Sequence, residues 1–148
     1  MTDAPKLKVL FLCTGNACRS QMAEAFARKL RGDVIEPYSA GVAPFRVLPE
    51  TVEVMAEVDC DLSGHYAKHV DALRKVKFDY VVTLCDHAHE TCPVFGGDAK
   101  MIHRGFDDPP SLAMDAKNAD EALGHYRRVR DEIRAFVETL PEALEDDA

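Results

Sequence analysis

Residues 8–24 read KVLFLCTGNACRSQMAE, in which an apolar segment, a polar loop and a helical pattern follow one another. Residues 8–12 are nearly all apolar and include β-branched and aromatic side chains, which predicts a short buried strand. Residues 13–20, CTGNACRS, are small and polar and predict a tight loop. Apolar residues then recur with helical spacing at Met22, Ala23, Phe26, Ala27 and Leu30. Gly32 is placed to end this helix, so the predicted order is strand, loop, helix.

The rest of the chain continues the alternation of strands and helices. Strands are predicted at residues 34–39, 78–84 and 100–104, and helices at residues 49–58, 70–75 and 119–140. Residues 85–98 and the residues after Pro110 are predicted as loops. This alternation predicts an α/β domain with a four-stranded parallel sheet and helices on both faces. Ligands of such sheets bind at the carboxyl ends of the strands.

The length and charge of the chain narrow the classes of protein to consider. Its 148 residues suit one domain, taken as 1–148, with one hydrophobic core. Apolar runs fall short of the ~20 residues that cross a bilayer, and the N-terminal residues lack the pattern of a secretory signal. A cytoplasmic, monomeric protein is therefore expected. The net charge of −8 disfavours nucleic acid and anionic membranes as partners.

The loop that begins at Cys13 has the composition of an anion-binding site. Between a strand and a helix, successive backbone N–H groups can point at one site, and the helix adds its positive N-terminal end. Gly15 is expected to allow a turn that a side chain would oppose, and Arg19 carries a fork that binds two oxygens of a tetrahedral oxyanion. A Cys13 thiolate beside such an anion is an activated nucleophile. The predicted oxyanion-binding residues are Thr14, Gly15, Asn16, Ala17, Cys18, Arg19 and Ser20. The alternative is a buried cysteine beside an ordinary strand–helix turn.

Five segments of the chain, in order, resemble one family. They are residues 9–24, YSAG at 38–41, VVTLC at 81–85, Cys92-Pro93 and GFDDP at 105–109. Together they resemble the thioredoxin-coupled arsenate reductases, which are relatives of the low-molecular-weight tyrosine phosphatases. The resemblance implies a low-molecular-weight phosphatase-like fold, arsenate as the substrate and thioredoxin as the external reductant. A low-molecular-weight thiol remains an alternative reductant.

Two further cysteines extend the chemistry predicted for Cys13. Cys85 directly follows a predicted strand and so lies at the same sheet edge as Cys13, with Cys92 seven residues further on. A phosphatase needs one thiolate, whereas reduction of arsenate takes two electrons, which thiols supply by forming a disulfide. We therefore expect a Cys13–Cys85 disulfide that passes to Cys85–Cys92 and is reduced externally. Ordinary buried cysteines and a zinc site are the alternatives, and Cys18 and Cys60 are assigned no required role.

The departing oxygen also needs a general acid. Asp107 and Asp108 both precede Pro109, and local sequence does not separate them. The resemblance places the acid directly before the proline, at Asp108. Asp107 is then expected to be a solvated or turn-capping carboxylate.

A cation site known in some relatives is altered in this chain. The resemblance aligns a potassium site with Asn16, Glu24 and Ser39, and two further positions are Tyr66 and Lys68 here. Lys68 replaces a carboxylate, so its ammonium is expected to take the place of the ion near Glu24 and Asn16. The alternative is a solvated lysine. No resident cofactor or metal is expected, and His65 and His69, four residues apart, are expected to be surface histidines.

Two other functions compete with arsenate reduction. The first is a phosphatase acting on phosphotyrosine or small phosphoesters, although Asp108-Pro109 is not followed by the aromatic residue usual for phosphotyrosine binding. Residual phosphatase activity is expected in either case, because the loop itself does not exclude phosphate. The second is a redox or metal-binding regulator that does not turn over.

Overall fold

In the computed structural model, which describes residues 5–91 and 99–147, four strands form one parallel sheet in the order β2-β1-β3-β4. The strands are β1 (Leu7–Cys13), β2 (Ile35–Gly41), β3 (Tyr80–Thr83) and β4 (Lys100–His103). Successive side chains of a strand point to opposite faces, and residues 9–12 of β1 are all fully buried. Both faces of the central strand are therefore covered, as the run of apolar residues predicts.

Helices pack around this sheet and around one another. They are α1 (Arg19–Arg31), α2 (Pro49–Ala56), α3 (Asp86–Thr91), α4 (Pro109–Ala113), α5 (Ala119–Glu138) and α6 (Glu142–Asp147), with a 3₁₀ turn at Val70–Leu73. The helix α1 contacts β1, β2 and α5, and α5 also contacts α2 and α4. The Asn118 side chain accepts the backbone N–H of Glu121 and so begins α5. Among the described residues, no helix is both long and apolar enough to span a membrane.

The four-stranded parallel sheet and the α/β class agree with the sequence prediction, but two predicted loops contain helices. Residues 86–91 form α3 where a loop was predicted over 85–98, and residues 92–98 lie outside the described part of the chain. Of the α3 residues whose side chains are described, only Ala88 is fully buried, so the segment lacks the apolar periodicity that predicts a helix. After Asp108, the prolines Pro109 and Pro110 begin α4, a position where proline is favourable because its missing N–H is not needed.

The C-terminal segment contains a helix that was not predicted. Residues 142–147 form α6, after the proline that was expected to follow the last helix. Leu144 is fully buried and attaches this helix to the core. One apolar residue in an acidic segment gives too weak a periodic signal to predict such a helix.

The register of the sheet places the residues that follow β1 next to those that follow β3. Leu12 of β1 pairs with Thr83 of β3, and the backbone N–H of Leu84 donates to the carbonyl of Leu12. Both strands end within one residue of this pair. Because the strands are parallel, Thr14 and Cys85 leave the sheet at the same level and on the same edge.

Candidate active site

A cleft of about 360 Å³ opens at the carboxyl end of β1. It is lined by Cys13, Thr14, Gly15, Ala17, Cys18, Arg19, Phe45, Leu48, Asp108 and Pro110. Three parts of the chain therefore meet here: the loop 14–18, the loop between β2 and α2, and the start of α4. Most of the residues predicted for oxyanion binding line this one cleft.

The backbone of the loop is oriented by bonds to its outer side. Four of its carbonyl oxygens accept backbone N–H groups of the β2–α2 loop, in the pairs Cys13–Val42, Thr14–Ala43, Gly15–Phe45 and Ala17–Leu48. The fifth carbonyl, that of Asn16, accepts the Gln21 side-chain amide at 3.0 Å. In a trans peptide the N–H points opposite to the C=O. The N–H groups of residues 14–18 are therefore turned toward the inside of the loop, which is the arrangement of an anion-binding nest.

The left-handed position in this loop is at Asn16, whose φ is 50°, and Gly15 does not have a left-handed φ. The expectation that Gly15 supplies the unusual turn is therefore wrong. A side chain at Gly15 would make only ordinary contacts. The glycine that the loop requires is Gly41, where a Cβ atom would lie 2.6 Å from the carbonyl oxygen of Thr14 and 2.9 Å from the N of Asn16.

Cys13 is held by a short chain of side-chain hydrogen bonds. Its sulfur is 2.9 Å from the Ser20 hydroxyl oxygen, which accepts the Asn16 side-chain amide at 2.7 Å. Because the Ser20 oxygen already accepts from Asn16, its own proton is available to donate to a Cys13 thiolate. Cys13 is only 2% exposed, so a substrate must enter the cleft before Cys13 can attack it.

Arg19 joins the loop to the opposite wall of the cleft. It is the first residue of α1, and its guanidinium donates to the carbonyl of Phe106 at 3.0 Å and pairs with Asp108 at 3.3 Å. The guanidinium is largely buried. An oxyanion in the cleft would compete with Asp108 for one side of this fork, which frees the carboxyl group when substrate binds.

The two neighbouring aspartates point in different directions. Asp108 lines the cleft, and its second carboxylate oxygen accepts the Ser111 hydroxyl at 2.6 Å. Asp107 pairs with Arg128 of α5 at 2.9 Å and does not line the Cys13 cleft. The geometry therefore separates the pair that local sequence left open, with Asp108 on the side of the nucleophile.

Cys85 lies against the loop of Cys13. Its sulfur is 3.2 Å from the Thr14 hydroxyl oxygen and accepts the backbone N–H of Ala88 at 3.4 Å. The donor from Ala88 belongs to the first turn of α3, where Cys85 directly precedes the helix. Arg19 and Cys85 also line a second cleft, of about 270 Å³, with Asp86 and Asp107. Cys92, the third predicted thiol, lies outside the described residues.

Cys18 and Cys60 have environments unlike that expected of a reactive thiol. Burial raises the pKa of Cys18 to about 12, although the nearby Thr51 hydroxyl acts in the opposite direction. Burial also raises the pKa of Cys60, which lies near Asp59. Both therefore remain protonated at neutral pH, and protonated thiols are poor nucleophiles.

The region behind the loop contains two cations. Glu24 pairs with Arg28 at 2.9 Å and accepts the Ser39 hydroxyl. The Lys68 ammonium donates to the Tyr66 carbonyl at 3.2 Å, and its backbone N–H donates to Asn16. Partial burial lowers the pKa of Lys68, while the nearby Glu24 raises it. Arg28 was not predicted as the direct partner of Glu24, and replacement of a potassium ion by Lys68 stays a prediction.

His65 and His69 make separate contacts. His65 bonds through its Nδ1 atom to the Gln21 side chain at 2.8 Å, whereas the His69 ring accepts the backbone N–H of Asp71. Across residues 5–91 and 99–147, no three His, Cys, Asp or Glu side chains are grouped to hold a metal ion.

Three residues that line the cleft were not predicted, namely Phe45, Leu48 and Pro110. Phe45, which is 68% exposed, and Leu48 form an apolar wall beside Cys13. The aromatic residue was sought only after Asp108-Pro109. The order of strands could have predicted Phe45 and Leu48, because the loop after β2 leaves the sheet at the same edge as the Cys13 loop.

Comparisons with known proteins agree with the fold. Residues 8–148 match the model of the low molecular weight phosphotyrosine protein phosphatase family. An arsenate reductase from Halalkalibacterium halodurans is 42% identical over 93% of this chain and 96% of its own. A low molecular weight protein tyrosine phosphatase from T. tengcongensis superposes with a TM-score of 0.68 and 27% identity, over 93% of this chain and 99% of its own. A thioredoxin-dependent arsenate reductase from Corynebacterium glutamicum has the same fold, with a TM-score of 0.69 and 23% identity, over 99% of this chain and 66% of its own.

Proposed function

The chain belongs to the low molecular weight phosphotyrosine protein phosphatase family, and we propose that it is an arsenate reductase that uses Cys13, Cys85 and Cys92 in turn. The observation that carries this proposal is the position of Cys85, whose sulfur contacts Thr14, the residue after the nucleophile, at 3.2 Å. A phosphatase has no need of a second thiol at this point. The arsenate reductase from H. halodurans, 42% identical to this chain, supports the choice of substrate.

In the first step arsenate enters the Cys13 cleft. Its oxygens bind the N–H groups of the loop and the Arg19 guanidinium, which neutralise its charge. The Cys13 thiolate, stabilised by the Ser20 hydroxyl, attacks arsenic and forms a sulfur–arsenic bond. Asp108 gives a proton to the departing oxygen, which leaves as water.

In the second step Cys85 attacks the sulfur of Cys13. The electron pair of the sulfur–arsenic bond passes to arsenic, which is reduced from the pentavalent to the trivalent state and leaves as arsenite. The two thiols are oxidised to a Cys13–Cys85 disulfide. The N–H of Ala88 and the Thr14 hydroxyl, both in contact with the Cys85 sulfur, stabilise the thiolate that attacks.

In the third step the Cys92 thiolate attacks Cys85, which releases Cys13 and leaves a Cys85–Cys92 disulfide. An external dithiol protein then reduces this bond. We take thioredoxin as that protein, in keeping with the thioredoxin-dependent reductase of the same fold. The cycle suits a reducing compartment such as the bacterial cytoplasm, and all of its reacting thiols come from one copy of the chain.

Phosphatase activity is a second function that one observation favours. Cys13, Arg19 and Asp108 act on any tetrahedral oxyanion, and the exposed ring of Phe45 offers a face for an aryl group. We propose that aryl phosphates are hydrolysed slowly at the same site. This activity requires neither Cys85 nor Cys92.

The experiment that separates the two functions follows NADPH oxidation with purified thioredoxin and thioredoxin reductase. The reductase proposal predicts NADPH oxidation that depends on arsenate and is not supported by phosphate. Absence of arsenate-dependent oxidation, together with turnover of an aryl phosphate, would reverse the ranking. A chain in which Cys13 is replaced by serine controls for NADPH oxidation by the coupling proteins alone.

A further inference from the structure

The carboxylate of Asp108 is held at both of its oxygens. Oδ1 lies 3.3 Å from the Arg19 guanidinium, and Oδ2 accepts the Ser111 hydroxyl at 2.6 Å. The Asp108 side chain is 39% exposed. Without a bond at Oδ2, such a side chain would be free to rotate once substrate took its place on Arg19.

The local sequence explains why a side-chain hydroxyl, and not a backbone N–H, holds Oδ2 of Asp108. Asp108 is the N-cap residue of α4, where an aspartate ordinarily accepts a backbone N–H from the first turn. The N2 position is Pro110, which has no N–H, and the Asp108 side chain accepts no capping bond from the N–H of Ser111 at N3 either. The donor from α4 that fixes the carboxylate is the Ser111 hydroxyl.

The position of this bond decides which oxygen delivers a proton. Oδ2 accepts a short hydrogen bond from Ser111, whereas Oδ1 loses its contact with Arg19 when an oxyanion takes that place. With substrate bound, protonation of Asp108 therefore falls on Oδ1. Oδ1 is the oxygen beside Arg19, and therefore beside a bound oxyanion. The neighbouring Asp107, paired with Arg128, has no such orientation toward the cleft.

We propose that Ser111 is a positioning residue that holds Asp108 so that its Oδ1 protonates the departing oxygen. The proposal rests on the role of Asp108 as the acid in the proposed function. It does not rest on the disulfide cascade, because an acid is equally needed when the substrate is a phosphate ester.

Phenyl phosphate and 4-nitrophenyl phosphate test the role of Ser111, because their leaving groups differ in how much they need a proton. Phenolate is a basic leaving group, with a pKa of about 10 like that of tyrosine, and needs a proton to depart. The more acidic 4-nitrophenol leaves without one. The phenol released in a single turnover, with enzyme in excess, measures this step even if the phosphorylated Cys13 is hydrolysed slowly.

Ser111→Ala is expected to slow release of phenol about tenfold, a fraction of the 10²–10⁴ that a general acid contributes. Release of 4-nitrophenol should change less than about twofold, because it does not depend on the acid. Asp108→Asn should also slow the release of phenol more than that of 4-nitrophenol, and should slow the release of phenol more than Ser111→Ala does. Ser111→Thr keeps a hydroxyl at an exposed position and should restore the rate with phenyl phosphate.

Ser63→Ala is the matched control, because Ser63 donates in the same way to Asp61 at 3.0 Å and is exposed outside the cleft. It should affect neither substrate. An equal loss with both aryl phosphates in Ser111→Ala, or no loss with phenyl phosphate, would overturn the positioning role. The measurements with both aryl phosphates need no arsenate, so the role of Ser111 is tested even in a chain that fails to reduce arsenate.

Discussion

The Thr14 hydroxyl oxygen lies 3.2 Å from the Cys85 sulfur, so the residue after the nucleophile contacts the second thiol. This contact joins the end of β1 to the start of α3 across one edge of the sheet. It follows from the pairing of Leu12 with Thr83, which brings the two strands to an end at the same level. The parallel register is therefore what places a second thiol beside an oxyanion site.

Substitution of Gly41 is expected to damage the oxyanion loop. In Gly41→Ala the new Cβ would lie 2.6 Å from the Thr14 carbonyl oxygen, which is backbone and has little room to move. We expect a loss of about 1–3 kcal/mol in the free energy of unfolding, as for other overpacked sites, and weaker binding of phosphate. Urea unfolding and calorimetric titration with phosphate measure the two effects.

Gly64→Ala is the control for this substitution, because a Cβ at Gly64 would meet nothing within 4 Å. It should bind phosphate like the parent chain. Unchanged phosphate affinity in Gly41→Ala would show that the loop tolerates displacement at its outer side.

Stability should depend on the charge of Glu57 in a defined range of pH. Its carboxylate accepts hydrogen bonds from Arg127 and Arg130 of α5, which lower its pKa from 4.5 to about 2. The folded protein therefore favours the ionised form, and this contribution is complete above the unfolded pKa and lost as pH falls through the folded pKa. Glu57→Gln should lower the urea midpoint near neutral pH, and the difference from the parent chain should shrink as pH falls from 4.5 toward 2.

The matched control is Glu53→Gln, at an exposed position one turn earlier in α2. It should change the midpoint little at any pH. A difference between Glu57→Gln and the parent that stays constant across acidic pH would show that the charge of Glu57 is not responsible.

The charges around Lys68 predict that stability and turnover do not depend on potassium. Arg28 pairs with Glu24, and Lys68 adds a second positive charge close enough for Glu24 to raise its pKa. We expect the thermal midpoint and the turnover of the parent chain to be the same in potassium chloride and in an equal concentration of sodium chloride. Lys68→Asp should introduce a stabilisation specific to potassium, and strong stabilisation of the parent by potassium over sodium would contradict the replacement.

The sequence predicted the elements with strong periodic patterns and the residues whose chemistry is local. Strand β1, helix α5 and the loop from Cys13 to Arg19 were predicted because each carries its own signal. Helix α3 was missed because its stability comes from its position after β3 rather than from an apolar face. Phe45 and Ser111 were missed because their roles arise from contacts between segments far apart in the chain, or from the direction of one side chain.

The three-cysteine cascade is tested by a single turnover with arsenate in the Cys92→Ser variant, followed by mass-spectrometric mapping of its disulfides. We expect one arsenite released per chain, a disulfide between Cys13 and Cys85, and no further turnover with thioredoxin present. Cys60→Ser, which replaces a buried thiol outside the cleft, should turn over repeatedly. Repeated turnover in Cys92→Ser, or arsenite released without a Cys13–Cys85 disulfide, would contradict the three-cysteine cascade.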